Sequence, residues 1–476
     1  MNREIVKKWA GICVAVLATS AAFAQSTWTG VAGNGNWSDA GNWSGGVPGL
    51  TSTATFNSAG TTIDVSGAAI RGMYFTGGAG SFTFNSSSSP FTVGNGLVFN
   101  IAAAVTSATM TYSGPLTFEL GSSSLRFQNF ATATDATFNI TGNITGNTSA
   151  TGGLIQLEGN GDNRGTISGN ITQGTGSLLS INKTNAGTWT ISGNITTTGS
   201  ITVSQGRLNL SGNNSGLSGS VVLGNAATIG VGSATALGTG TLTLGRGYLE
   251  NLTGGTFTSS NNMIWNSNNT LNVNTQDGIG NINLTGTMAM AQAASFLIAQ
   301  SSTVTLGAVT GKFRVNKSGN ATSGQGTLII NHSQNDGSYS VSSGALVVND
   351  QLIALDGIGG TTLLLASAPS NGGTFTLNGL TFDLSGATLT DGQTWSIYGS
   401  NMTAAYLGAG FAVNGFTNSG GIWTLVNGTD TWTFNQSTGQ LSLSISQIPE
   451  PSTWALMGVG VGLLFWVGCW KRRASI

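Results

Sequence analysis

Three charged residues in "LEGNGDNRG", Glu158, Asp162 and Arg164, form the densest ionisable group in the body of the chain. Two carboxylates beside a cation are the raw material for a Ca2+ site or for polysaccharide cleavage. A glycosidase needs a pair of carboxylates held close together. A Ca2+-dependent lyase needs clustered carboxylates and a base. The other acids complete neither set: Asp64, Glu119, Asp135, Asp277, Asp356 and Asp383 are scattered singly. The segment therefore reads as a charged turn. Its glycines precede no helix, which excludes a phosphate loop. His332, the only imidazole, reads as a solvent group in a turn, "IINHSQNDG", beside Asp336. No serine nucleophile elbow is present. The expectation is no catalytic set, no metal site and no cofactor.

Trp28, Trp37 and Trp43 punctuate the glycine- and asparagine-rich stretch "STWTGVAGNGNWSDAGNWSGGVPG". Their spacing is too irregular for a helix, and Gly-Asn turns dominate. Three tryptophans among small polar residues suit stacking on sugar rings. They equally suit a plug on the open end of a β-solenoid, whose apolar interior must be capped.

Composition narrows the class. Of 476 residues, 74 are glycine and only 7% are charged, yet 39% are hydrophobic. Disorder favours high net charge with low hydrophobicity, so this balance points to an ordered β protein. Setting the two ends aside leaves nine cations against fourteen acids, a net of −5. Mild acidity without a basic stripe excludes nucleic acid as a partner. Both cysteines, Cys13 and Cys469, sit in apolar terminal segments, so the body has neither a disulfide framework nor a Cys-based metal site.

Short alternating runs bounded by Gly or Asn recur along the body. In "SITVSQGRLNL", Ile201, Val203, Leu208 and Leu210 point one way while Thr202 and Asn209 point the other. Residues 181–210 and 315–348 share a longer pattern. An apolar-Asn-Lys start (Lys183, Lys317) leads to a Gly-Thr strand, then Gly-x-x-x-Val-x-x-Gly-x-Leu. Strands this short bury their apolar faces only by stacking coil on coil. Stacked corners rich in Asn favour side-chain ladders. The expected fold is all-β: a right-handed parallel β-helix over 25–358, then a C-terminal antiparallel or mixed β cap over 359–446. In the cap, Asn378-Gly379 and Asp391-Gly392 read as hairpin turns.

The two ends read as sorting segments. Arg3, Lys7 and Lys8 precede an apolar run, and Ala22-Phe23-Ala24 supplies small residues for cleavage between Ala24 and Gln25. Residues 1–24 are thus expected to be a signal-peptide helix, handled by the Sec translocon and signal peptidase. Residues 447–476 hold Pro449-Glu450-Pro451, an uncharged run from Trp454 to Trp470, and the cations Lys471, Arg472 and Arg473. The run is near the lower limit for one transmembrane helix, and the cations would stay cytoplasmic. The two prolines hold the box extended.

This tail resembles the PEP-CTERM sorting signal, which has the same three parts in the same order. The resemblance implies a surface or secreted protein of a Gram-negative, exopolysaccharide-making bacterium, processed by an exosortase at the inner membrane. The body's Gly-Thr strands are similar to the autotransporter-associated β-strand repeat. The chain departs from that family in ending on a helix and not on a membrane β-barrel. Together these features lead to an exported, non-enzymatic structural or adhesive protein that contacts exopolysaccharide or envelope glycans. A polysaccharide-degrading enzyme on the same fold and an uncleaved membrane-anchored protein are the alternative expectations.

Overall fold

The computed structural model describes residues 24–118, 124–146, 152–162, 164–175, 178–357 and 362–446, together with Val459, Val461, Leu464 and Trp466. The expected signal helix and Ala22 lie outside the described residues. So do the Pro-Glu-Pro box, the basic end and most of the expected membrane run. Among the described residues, no helix is long and apolar enough to cross a membrane.

The described chain is almost wholly β, in two compact units that meet in sequence at Leu179 and Ser180. Each unit is a parallel β-solenoid. Every coil places one strand on a narrow sheet and, as a rule, two stretches on a wide sheet. Among the described residues the narrow-sheet strands of the two units number 13, which makes about 13 turns in all.

In the first unit the rungs are in register through aligned apolar columns. Ile63, Phe84, Tyr112, Ile140 and Ile167 stack along the narrow sheet. Ala54, Met73, Phe99, Phe127 and Leu157 stack along the wide one. Every one of these side chains is at most 1% exposed. The Phe84–Tyr112 rings lie 4.9 Å apart and nearly parallel, and Phe99–Phe127 lie 5.2 Å apart likewise. Stacking follows from the parallel ladder: identical strand directions put each ring directly over its neighbour one rung away.

The second unit repeats the plan with slimmer side chains and shorter coils. Trp189, Leu208, Ile229, Leu249, Val273 and Ile298 form its narrow-sheet column. Ile201, Val203, Leu208 and Leu210 all point inward at 0% exposure, as the alternation in "SITVSQGRLNL" predicts.

Corners explain the glycine and asparagine. Gly169 sits over Gly142 so closely that a Cβ on it would lie 1.9 Å from the Gly142 carbonyl oxygen. Beside that glycine column, the Asn143 side chain accepts the Asn170 backbone N–H (2.9 Å), and Asn194 accepts that of Asn213 (2.9 Å). An asparagine ladder also forms: Asn349 donates to Asn331 and Asn378 to Asn349, each at 2.9 Å.

The expected hairpin turn at Asn378-Gly379 is not one. Both residues lie inside the long strand Thr374–Ala387, which pairs in parallel with Ala345–Val348 and Gln351–Gly357. Gly379 serves a close approach instead, since a Cβ there would come 2.7 Å from the Asn349 carbonyl. The parallel ladder thus runs past residue 359, through Leu407–Val413. A five-stranded antiparallel sheet takes one strand from before Leu407–Val413, Thr394–Ser396, and four from after it, Thr417–Ser419, Ile422–Asn427, Asp430–Asn435 and Gln440–Ile445. Trp395, Trp432 and Phe434 fill its buried face.

Candidate functional site

The structure separates the three residues of the charged turn. Glu158 is the penultimate residue of the strand Gly153–Gly159, with its carboxylate against the neighbouring rung. Arg126 chelates it through two nitrogens (2.8 and 3.0 Å to Oε1, 3.1 Å to Oε2), and Gln128 donates at 2.7 Å. Parallel register makes this possible, because Gln128 lies directly beside Glu158 and Arg126 beside Gln156. Arg164 turns inward and is 2% exposed. Its guanidinium donates to the carbonyls of Ala131 and Ala133 at 3.0 and 2.9 Å. Burial pulls its pKa below the ordinary arginine value, and Asp162 partly offsets that. Asp162 itself is exposed. Among the described residues, no three His, Cys, Asp or Glu side chains gather in a way that would hold a metal.

His332 lies in the strand Thr327–Asn335, not in a turn, and its partner is Asp350 and not Asp336. Its Nδ1 is 2.7 Å from Asp350 Oδ2, and Gln334 sits 3.1 Å from Nε2. Asp350 also accepts from the Thr381 hydroxyl at 2.8 Å. Both ring nitrogens are therefore engaged by neighbours on the same sheet.

Two buried lysines carry the shared sequence pattern. Lys183 Nζ donates to the carbonyls of Thr184, Asn185 and Gln205, at 2.7, 2.7 and 3.1 Å. Lys317 Nζ donates to those of Ser318, Gly324 and Ser343. Each lysine is 0% exposed. Each pairs across the ladder with the valine of Val-x-x-Gly, Val203 or Val341. The following glycine, Gly206 or Gly344, adopts a left-handed φ of 69° or 70°. The pattern thus encodes one corner, an ammonium held by three carbonyls. Burial lowers the Lys317 pKa to about 8. A further charged group escaped the sequence reading: Glu250, fully buried, accepts the backbone N–H of Gly278 at 2.7 Å and of Thr275 at 3.2 Å. Burial raises its pKa. Its only signal in sequence would be an acid inside an alternating strand, and its partners lie a whole coil away.

The three N-terminal tryptophans pack on one another over the first coil. Trp28 and Trp43 meet edge to face at 5.0 Å, and Trp37 and Trp43 at 4.7 Å. Trp37 and Trp43 both reach Phe56, and Trp37 also reaches Phe91. Their exposures are 2, 2 and 5%, so no ring face is open for a sugar to stack on. Trp43 Nε1 donates to the Trp37 carbonyl at 2.7 Å. Ala24 and Gln25, which flank the expected cleavage point, lie in the edge strand Ala24–Thr27, paired with Ser52 and Thr53.

In the tail, Val459, Val461, Leu464 and Trp466 are helical and exposed. No curated protein and no solved structure matches the chain. The body's likeness to the autotransporter-associated repeat therefore rests on its sequence pattern alone. Residues 447–473 match the family model for the PEP-CTERM protein-sorting motif, a signal that implies export, sorting to the cell surface and processing by an exosortase.

Proposed function

We propose that this protein is a structural or adhesive component of the bacterial cell envelope or exopolysaccharide matrix, displayed or released after its tail is processed. In this reading the signal peptide delivers the chain to the Sec translocon. The C-terminal segment then holds it in the inner membrane until an exosortase acts at the Pro-Glu-Pro box. The observation that carries the reading is the sorting motif over residues 447–473. Two features of the body support it. The solenoid commits several of its charged side chains to carbonyl cages and ion pairs such as Arg126–Glu158. Its outward strand positions carry Thr and Asn, as at Thr83, Thr111 and Asn139, which suits contact with neutral glycans.

Mass spectrometry of the C-terminal peptide, from surface and medium fractions of the native host, tests the sorting step. A new terminus at or near Pro449-Glu450-Pro451 is expected. An intact chain ending at Ile476 and confined to membranes would overturn it and leave a tethered solenoid. Co-sedimentation of the purified protein with host exopolysaccharide tests the matrix role, which no binding to any fraction would refute.

A further inference from the structure

A pocket of about 220 Å3 opens at the N-terminal end of the first unit, against Trp28, Gly30, Gly33, Gly35, Ser58 and Thr61. Its wall is a loop braced from within by Asn42, which is 0% exposed. Asn42 Oδ1 accepts the Ala32 backbone N–H (3.0 Å), and Nδ2 donates to Asn34 Oδ1 (2.8 Å) and to the Asn36 carbonyl (2.9 Å). Gly30, Gly33 and Gly35 adopt left-handed φ values of 65°, 70° and 60°. A Cβ at Gly35 would lie 2.7 Å from the Thr62 carbonyl. The loop conformation is thus fixed before any ligand arrives, which lowers the entropic cost of binding.

Trp28 is 2% exposed, and its indole N–H has no hydrogen-bond partner among the described residues. The nitrogen faces the pocket at Gly30, where a Cβ would lie only 3.2 Å from it. Open to the pocket, this N–H is available to water or to an acceptor that enters from outside the chain. Thr29 and Thr61 line the same space, and the Ser58 hydroxyl makes only a 3.5 Å contact with the Ala59 carbonyl. No charged side chain lines the pocket.

A single aimed N–H, hydroxyl-bearing residues, a glycine wall and no charge suit a neutral polyhydroxylated ring. The space is smaller than the roughly 300–1,000 Å3 of pockets for drug-sized ligands, which fits one ring and not a chain. We propose that this pocket binds a single neutral pyranose, with the Trp28 indole N–H donating to a sugar oxygen. The inference gives the matrix role a ligand and rests on that role only for the source of the sugar. Binding itself rests on the pocket.

The test is an NMR titration of the full-length 15N-labelled protein in detergent. The Trp28 indole cross-peak is assigned by its loss in Trp28→Phe. Methyl glycosides of glucose, mannose and galactose, and the matching disaccharides, are added in turn. A saturable shift of the Trp28 peak is expected with at least one sugar at millimolar concentration, while the Trp189 and Trp265 peaks stay in place. Thr61→Val should weaken that binding about tenfold, equivalent to about 1.4 kcal/mol, with the rest of the spectrum kept. Binding of both glycoside and disaccharide marks a polymer chain end, and binding of the glycoside alone marks a free sugar. No saturable shift with any sugar would overturn the proposal. So would the same shift with sodium sulfate, or unchanged affinity in Thr61→Val. The sorting reading is scored separately by the C-terminal peptide, so either can fail alone.

Discussion

Replacing Gly169 with alanine tests whether corner glycines are required by the stacking of coils. The new Cβ would start 1.9 Å from the Gly142 carbonyl oxygen, 2.4 Å from its carbon and 2.9 Å from the Asn143 nitrogen. All three are backbone atoms, so no side chain can swing aside. The corner must retreat until the first distance reaches at least 3.4 Å, where ordinary contact begins. Three bonds across this rung cannot follow: Ser168 N–H to the Ile140 carbonyl (2.8 Å), Gly169 N–H to the same oxygen (3.3 Å), and Asn170 N–H to Asn143 Oδ1. At about 1 kcal/mol each, the local loss is about 3 kcal/mol. Hydrogen exchange read by mass spectrometry on peptides over 165–172 measures it, and exchange should quicken roughly a hundredfold, at 1.4 kcal/mol per tenfold. Gly49→Ala is the control, because a Cβ there meets nothing within 4 Å. Less than a fivefold change at Gly169 (about 1 kcal/mol), or an equal change at Gly49, would refute the close-approach argument.

Lys317→Met should destabilise the second unit by about 3 kcal/mol in urea unfolding, because three buried carbonyls lose a charged donor. The pH dependence has a definite sign. With a folded pKa of about 8 against an ordinary 10.5, the unfolded chain holds a proton through that window that the folded chain has released. Stability from this group therefore rises with pH between about 8 and 10.5, and the slope should vanish in Lys317→Met. Arg126→Met should cost about 2 kcal/mol by leaving the Glu158 carboxylate, 5% exposed, with Gln128 as its remaining side-chain donor of this group. Adding Glu158→Gln should recover part of that loss, read as a double-mutant cycle of thermal midpoints. Trp43→Ala should cost about 3–5 kcal/mol and expose Phe56 to a hydrophobic dye, since Trp43 bridges Trp28, Trp37 and Phe56.

The sequence alone settled several things about this protein. Period-two alternation sorted Ile201, Val203, Leu208 and Leu210 to the interior, because neighbouring residues on any strand face opposite ways. Glycine and asparagine marked the corners, since only a residue without Cβ lets stacked turns approach and only a short amide bridges them. The Pro-Glu-Pro box, apolar run and basic end are local strings, readable without a fold. Tertiary structure decided the rest, for one physical reason: a partner one rung away lies about a coil away in sequence, and coil length varies. From Phe84 to Tyr112 to Ile140 each step is 28 residues, whereas Trp189 to Leu208 to Ile229 takes 19 and then 21. No fixed offset therefore pairs Arg126 with Glu158, Asp350 with His332, or Gly278 with Glu250. The same freedom lets one corner pattern serve different faces: Thr188–Ile191 lies in the narrow sheet, but its sequence counterpart Thr327–Asn335 lies in the wide one. It also let Asn378-Gly379, a hairpin signal by itself, become the interior of a strand. Three tryptophans in a glycine-rich string are the same letters whether they plug a core or present faces to a sugar. Only the packing of Phe56 and Phe91 beneath them closed the ring faces and left one indole N–H aimed at an open pocket.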